Sequence, residues 1–583
     1  MSEKMESGMK REAFKTRKYA PKVRTGCYTC KIRRVKCDES KPDCLRCVKF
    51  GIGRCGGYPE ANVQPRLVQS HSTYRHLQPA SLDPNVQAHR TYQNLQPSLS
   101  YQPRSGPKFN DEEEHRCFHL FRNDSIHCLA GAFSNTLWAQ IIAQASENEP
   151  FVQECVIAIG ALSRAAYSPR SCPGPLRTQS PKHEKGNEYY EYALKQYGRA
   201  LKTMRLALSD QRESLRRALI ACLLVFCFES YVGNQVAAIT HAQSGISLLH
   251  QWKSKKEMEN TQSPAPYTIE DELVQAFTRL DLQVSILLDI RPMKFHQTIK
   301  THCFNTLQKM PPSFKNVEEA RVWGELLMRW NYHFRAESLA VGKSQEIDMK
   351  APLVNWEDSM DTPMGATVLH EPKEIPVALL PEYRAHVSGT HQWFLAFEPL
   401  FASLQTSPSK DLVGGTLLQV QAKMSAITLA SAFFVLETGY DVFLPEFHDI
   451  VTLTDSVSGM VLAGRNHQDK RLIYHFDGGF IPPLFLVATK CRDRALRRKA
   501  IALLDMAPYR EGVFDSVCVA KMAEWIVAVE EEGIDEGEIP DYRRLRIRRS
   551  NIDLPMRRAQ LQGTQFRKAD DTEPEWKETV LNW

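Results

Sequence analysis

No stretch of this sequence is apolar for long enough to cross a bilayer. The longest run, residues 218–228, has eleven residues, against the about 20 that a spanning helix needs. The opening Met1-Ser2-Glu3-Lys4-Met5-Glu6-Ser7-Gly8 holds no apolar segment of the secretory type. The expectation is a soluble intracellular chain with no membrane partner. Thiols there stay reduced, so clustered cysteines point to metal rather than to disulfides. Catalytic signatures are missing too: the sequence has no glycine-rich phosphate loop, no HExxH and no G-x-S-x-G. No histidine precedes His71, which excludes a classical finger with paired histidines near the N-terminus.

What the 583 residues do contain is ordinary in bulk and uneven in distribution. At 43% hydrophobic and 24% charged, the chain has material for a sizeable core in several domains or one large one. Net charge is +6. Residues 1–58 hold nine Lys and seven Arg against six acidic residues, a net of +10, so the remainder sums to −4. A basic head on a near-neutral body is an electrostatic footprint of nucleic-acid binding.

The text divides along its length. Residues 1–20 are polar and basic and are expected to be a disordered arm. Residues 59–110 hold seven Pro, seven Gln and six Ser. Such a stretch buries too little apolar surface to offset the entropy of ordering, so it is expected to be a linker. Its prolines also interrupt any heptad, which argues against a coiled coil after the basic head. From about residue 111 to 535 the periodicity is helical. One helix is expected to start at Asn148-Glu149-Pro150, a capping signal followed by a first-turn proline. Tyr190, Leu194, Tyr197, Leu201, Met204 and Leu208 form a stripe too short for a coiled coil, so it is expected to face a core. Residues 217–231 and 236–252 read as helices broken at Gly233-Asn234. The segments near 269–290, 415–438, 484–505 and 517–532 are also helix-like. No run of short alternating strands is evident. Residues 536–583 carry no clear pattern and are left as a tail of unknown structure.

Six of the fifteen cysteines, Cys27, Cys30, Cys37, Cys44, Cys47 and Cys55, fall within 29 residues in the spacing C-x2-C-x6-C-x6-C-x2-C-x7-C. Each half is a CxxC pair followed by a third cysteine. A CxxC places two thiolates on one turn, and zinc takes four ligands in a tetrahedron. Three thiolates per half are one short. Six can complete two tetrahedra only when two sulfurs bridge both metals, and two separate four-cysteine sites would need eight. The spacing therefore points to two Zn2+ in one binuclear cluster.

The cysteine array, the basic run Lys31-Ile32-Arg33-Arg34-Val35-Lys36 and the Lys41-Pro42-Asp43-Cys44 turn resemble the fungal Zn2Cys6 binuclear-cluster transcription factors. Phe118-His119-Leu120-Phe121, Ala158-Ile159-Gly160-Ala161-Leu162, His241 with Ser244-Gly245, the segment from Phe277 to Gln283, and Pro482-Pro483-Leu484-Phe485 resemble that family's helical regulatory region. The resemblance implies a small metal-stabilised cluster domain at 21–58 plus a large all-α regulatory domain, joined by a disordered linker. It implies that Cys27 and Cys44 bridge, that Cys30 and Cys37 complete one zinc, and that Cys47 and Cys55 complete the other. Lys31, Arg33, Arg34 and Lys36 become the DNA-contacting residues. Arg33 and Arg34 are placed on the bases of a CGG triplet, because the arginine fork pairs with guanine O6 and N7. Two zincs and six thiolates sum to −2, so the same cations also offset the cluster's own charge.

Further implications follow from the resemblance: double-stranded DNA and the transcription machinery as partners, RNA polymerase II transcription as the process, the nucleus as the location, and any homodimer formed through the helical domain. The expected function is a sequence-specific transcription factor and not an enzyme, with a pathway regulator, as of a secondary-metabolite gene cluster, as the finer expectation. The alternative is a metabolite-binding or enzymatic helical protein fused to the same head.

Weaker signals remain. Glu229 closes an apolar helix and is expected to pair with a nearby base. His241 is expected to be a hydrogen-bonded core residue, and the nine cysteines outside the cluster core packing. Residues 543–549 read as a basic strip, either an import signal, a phosphate-binding strip or a solvated surface. Residues 570–576 mix acidic and aromatic character, as activation segments do.

Overall fold

The computed structural model describes residues 37–41, 44, 45, 107–166, 184–209, 215–254, 269–287, 291–341, 378–406, 409–434, 436–461, 472–534, 537–571 and 573–583. The expected arm at 1–20, linker residues 59–106 and most of the cysteine cluster lie outside them. The chain divides into two compact units, Met1–Tyr101 and Gln102–Trp583.

The described residues of the second unit begin inside the expected linker. Phe109 packs its ring against His115 and Phe118. Asp111 then caps α1 (Glu112–Leu120) by accepting from the Glu114 amide at 2.8 Å, with three glutamates in the first turn. Carboxylates there answer the unpaired amides and the positive end of the helix dipole. A π-helical turn (Phe121–Ser125) leads into α2 (Ile126–Ala130), a second (Leu137–Ile142) into α3 (Ala143–Asn148). Pro150 opens α4 (Pro150–Ala166), as the capping signal predicts. On α4, Gly160 lies against α1: a Cβ there would fall 2.1 Å from the Cys117 carbonyl oxygen.

Next come α5 (Glu184–Leu208), α6 (Leu215–Val232) and α7 (Gln235–Ser254). The α5 stripe serves the core: Tyr197 stacks on Phe228 with centroids 3.8 Å apart, Met204 is buried, and Leu194 alone of the stripe stands exposed. Apolar on nearly every face, α6 is buried at Leu219–Ala221 and from Leu223 to Phe228, as a helix in the middle of a core must be. Gly233, at φ +97°, ends it, and its amide and that of Asn234 both return to the Glu229 carbonyl.

The next six helices are α8 (Asp271–Leu287), α9 (Met293–Leu307), α10 (Val317–Val341), α11 (Leu380–Leu404), α12 (Lys410–Ser431) and α13 (Leu444–Val461). Here the core is threaded with polar groups. Asp281 on α8 is fully buried and held by Arg291, Arg329 and His333, the last at 3.2 Å. His333 Nδ1 meets His296 Nδ1 at 2.8 Å, so one ring donates and the other accepts. Burial pushes the His333 pKa down to about 4, with Asp281 opposing the shift. The sign follows directly. His333 takes up a proton in the unfolded chain below about 6.5 and in the folded chain only near 4, so it costs stability as pH falls through that window. A titration of this kind contributes about 1.4 kcal/mol per pH unit. His333→Asn is expected to flatten the pH slope of unfolding free energy between about pH 6.5 and 5 by that amount, measured by urea denaturation. An unchanged slope would contradict a buried neutral His333.

The segment read as helix-like over 484–505 is two helices, α14 (Ile481–Lys490) and α15 (Arg494–Asp505), separated where Asp493 caps α15 through the Leu496 amide at 2.8 Å. The body is mostly helical, and two small sheets join it. In the first, β1 (Ile473–His475) runs parallel to β2 (Tyr509–Glu511), and β2 pairs antiparallel with β3 (Phe514–Asp515). Gly512, at φ +53°, makes the β2–β3 turn. After α16 (Ser516–Glu531), the stretch left as a patternless tail folds into an antiparallel meander of β4 (Arg546–Asp553), β5 (Arg558–Gln565) and β6 (Glu575–Asn582). Leu554, Ala559 and Leu561 pack there on Cys518 and Met522 of α16.

Candidate metal centre and nucleic-acid interface

Among the described residues the first unit contributes one short loop. Glu39 takes a left-handed conformation at φ +61°, uncommon for a residue with a side chain. That turn aims the Glu39 amide back at Cys37 Sγ, 3.4 Å away. Asp38 Oδ2 accepts from the Leu45 amide at 2.8 Å and from Ser40 Oγ at 2.9 Å, tying the two ends of the loop together. Cys44 is fully buried.

The result is a close approach of ligand atoms: Cys37 Sγ, Cys44 Sγ and an Asp38 carboxylate oxygen lie within 4.8 Å of one another. Zinc holds thiolate sulfur at about 2.3 Å, so these two sulfurs are spaced to share one ion. The chemistry of the donor set fits zinc, a borderline-soft metal with a taste for thiolates. Asp38 fits better as the loop's brace than as a ligand, because its Oδ2 already accepts two hydrogen bonds. Sequence reasoning passed over Asp38; the acid directly after a ligand cysteine and seven residues before Leu45 was the available signal. Cys27, Cys30, Cys47 and Cys55, and the basic residues Lys31, Arg33, Arg34 and Lys36, lie outside the described residues.

The weaker candidates resolve into structure. Glu229 accepts from the Tyr197 hydroxyl at 2.7 Å and from Asn234 Nδ2 at 2.8 Å, so its partners are a phenol and an amide rather than a base. His241 is half-buried and burial lowers its pKa. Burial pushes the thiols of Cys222 and Cys303 up to about 11 and that of Cys117 to about 12. Thiols held protonated in this way are packing residues, not ligands or nucleophiles. Cys172 lies outside the described residues.

The basic strip at 543–549 is largely internal. Arg544 is buried and makes a two-pronged contact with Asp441, each prong 2.7 Å long. Arg546 pairs with Asp541 at 3.3 Å, and Arg548 donates to Thr564 Oγ1 at 2.7 Å. These arginines fasten the C-terminal sheet. Glu575 and Trp576, at the end of the acidic and aromatic segment, belong to β6.

A thiolate loop fit for zinc, in a basic unit separate from a large helical body, defines a metal-organised nucleic-acid-binding regulator as the class. Comparison with known proteins carries this to a family. Residues 25–64 match the fungal Zn(2)-Cys(6) binuclear cluster domain, and residues 117–321 match the fungal specific transcription factor domain. The chain is similar to the aspercryptin biosynthesis cluster-specific transcription regulator atnN of Emericella nidulans, at 22% identity over 88% of each chain. It is similar to transcription regulator lscL of Purpureocillium lilacinum at 22% identity, over 40% of this chain and 51% of that one. A shorter match, 58% identical over 40 residues, joins it to sterol uptake control protein 2 of Candida albicans, covering 7% of this chain and 6% of that one. No solved structure matches the chain. Residues 25–64 and 117–321 thus carry the two domains of fungal Zn(2)-Cys(6) transcription regulators, and zinc binding, DNA binding and transcription regulation follow from those domains.

Proposed function

We propose that this chain is a nuclear regulator of RNA polymerase II transcription that reads CGG-type triplets through the first half of a two-zinc, six-cysteine cluster. In this reading Cys27, Cys30, Cys37, Cys44, Cys47 and Cys55 hold both metals. When bound, the metals fold the head and present the run from Lys31 to Lys36. Arg33 and Arg34 read bases; Lys31 and Lys36 meet phosphates and offset the cluster's charge. The observation that carries the reading is the approach of Cys37 and Cys44 within 4.8 Å, in a segment matched by the cluster family. The boundaries 21–58 for the head, 59–110 for the linker and 111–535 for the helical regulatory domain belong to the same proposal. So does a non-enzymatic body, with any dimer formed through its helices.

The likeness to a cluster-specific regulator along 88% of both chains supports a pathway regulator, as of a secondary-metabolite gene cluster. Mapping of bound genomic sites tests this: sites concentrated in one gene cluster are the expected result, and sites spread across unrelated housekeeping genes would overturn it.

The base-reading assignment has its own test. A bidentate arginine–guanine contact is worth about 1–3 kcal/mol of discrimination, whereas a phosphate contact weakens all sequences alike and lowers the salt slope by about one unit. Arg34→Ala should therefore weaken binding to CGG-containing duplexes by roughly 5- to 150-fold, with much less effect on scrambled DNA. Lys36→Ala should weaken both by similar factors. Titrations at fixed salt, with zinc content verified, distinguish them. Equal losses on both duplexes for Arg34→Ala would move the base contact to Arg33.

A further inference from the structure

The helical body contains a cavity of about 770 Å³, within the range of small-molecule sites, and its lining residues among those described run from Ser125 to Glu511. Its walls are mostly apolar: Leu129 and Phe133 from the α2 end, Leu417 from α12, Leu484 from α14 and Leu503 from α15. Closed cores do not leave a void of this size without a framework to hold it open. Here the framework is polar and rigid. The buried Glu511 carboxylate accepts from the amides of Gly479, Phe480 and Ile481, each at 2.9 Å. A Cβ on Gly479 would fall 2.2 Å from Glu511 Oε1, so glycine is needed for the clasp. Asp477 is fixed by Arg279 at 2.7 Å and Arg321 at 2.6 Å.

These engagements decide what charge remains for a ligand. Both acids on the wall are already answered, Asp477 by two guanidiniums and Glu511 by three amides. At the rim stands Lys410, exposed, its ammonium donating to the Phe133 carbonyl at 2.9 Å. No carboxylate pairs with it among the described residues. Inside, the Tyr509 hydroxyl makes no hydrogen bond among the described residues. The cavity thus offers a mostly apolar body, the Tyr509 hydroxyl as a polar contact within, further polar groups such as Thr454 and His475 on its wall, and an unopposed positive charge at its mouth.

We propose that this cavity binds a small organic acid with an extended apolar body, its carboxylate at Lys410 and its chain among Leu129, Leu417 and Leu503. Such a site gives the regulator a means of sensing a metabolite. The proposal stands on the cavity alone, so its failure would leave the DNA-binding reading untouched.

The test uses the full chain and two fluorescent probes, dansyl-labelled undecanoate and its methyl ester. The acid should saturate a single site and bind about fivefold more tightly than the ester, the scale of a partly exposed ion pair. Lys410→Met, at an exposed position that leaves the fold intact, should weaken the acid to the ester's level and leave the ester unchanged. Leu417→Trp, which fills the cavity, should weaken both probes at least tenfold, the circular dichroism of the variant showing unchanged helix content. Absence of saturable binding would overturn the proposal. So would equal affinities for acid and ester in the parent chain, or a folded Leu417→Trp that binds as the parent does.

Discussion

Cys44→Ala is expected to abolish duplex binding by the full chain, with a loss of at least a hundredfold at any fixed salt concentration. Cys44 is fully buried and its sulfur lies within 4.8 Å of Cys37 Sγ. Small thiolate domains draw their folding free energy from the metal, on the order of 10 kcal/mol per structural zinc. In the proposed cluster Cys44 bridges both metals, so removing its thiolate would leave neither with a full set of ligands. The helical body has its own core, so the thermal transition of residues beyond the head should not move. Gel-shift titration paired with differential scanning calorimetry separates these effects. Duplex binding within tenfold of the parent chain would show that Cys44 is not a ligand on which the head depends.

The second large effect concerns stability, at the joint between the body and its C-terminal sheet. Arg497 on α15 and Glu530 on α16 are both fully buried, with Nη2 and Oε2 2.8 Å apart. The approach is off the hydrogen-bonding direction, so the attraction is mainly Coulombic. Arg497 Nε is anchored on the Ala488 carbonyl at 3.0 Å. Glu530 Oε1 accepts from the Leu545 amide at 2.8 Å, just before β4. Arg497→Met strips the main counter-charge from a buried carboxylate, and breaking one side of such a pair costs about 3–5 kcal/mol. Arg492, 3.2 Å from Oε1, moderates the loss without replacing Arg497. The double variant Arg497→Met with Glu530→Leu should recover most of it, because a pair of apolar residues leaves no buried charge behind. Denaturant unfolding of the three proteins is the check. A single variant within about 1 kcal/mol of the parent would mean that water reaches the site.

These two regions also show what the sequence discloses and what it hides. Chelation is local, so the cysteine spacing reads directly as chemistry. The same holds for the Pro150 helix start, for the Gly233 break and for α6, whose apolar text can only be a core helix. α10 passed unnoticed for a physical reason. Its buried face carries Arg321, Glu325, Asn331 and His333, which disguise the apolar period. Three of them are satisfied by partners far away in the chain, Arg321 by Asp477, Asn331 by Thr390 and Ser425, and His333 by Asp281, while Glu325 pairs with Arg321 one turn before it. α11 is masked in the same way by buried His386 and Thr390 and by an internal Pro399.

The C-terminal sheet was illegible for the opposite reason, too little apolar signal. β5 buries only Ala559 and Leu561 among its hydrophobic side chains, its other buried positions being Gly563, Thr564 and Gln565. On β6 the pattern is inverted, with Trp576 and Val580 exposed. Alternation of hydrophobicity is the only local sign of a strand, and here the pairing partners, not the alternation, decide the structure. The arginines of 543–549 looked like a solvated strip because Asp441, Asp541 and Thr564, which receive them, are distant or unremarkable in sequence. The cavity of the body was likewise invisible, since its walls come from α2, α12, α14, α15 and the first sheet.

The central claim, a head that reads DNA only as a two-zinc cluster, is tested most directly by zinc analysis coupled to binding. The full chain, purified without added chelator, should carry two zincs per molecule. Stepwise removal of metal should abolish binding to a CGG-containing duplex, and added zinc should restore it in proportion to the metal reloaded. One zinc per chain, or duplex binding that survives complete removal of the metal, would contradict the account.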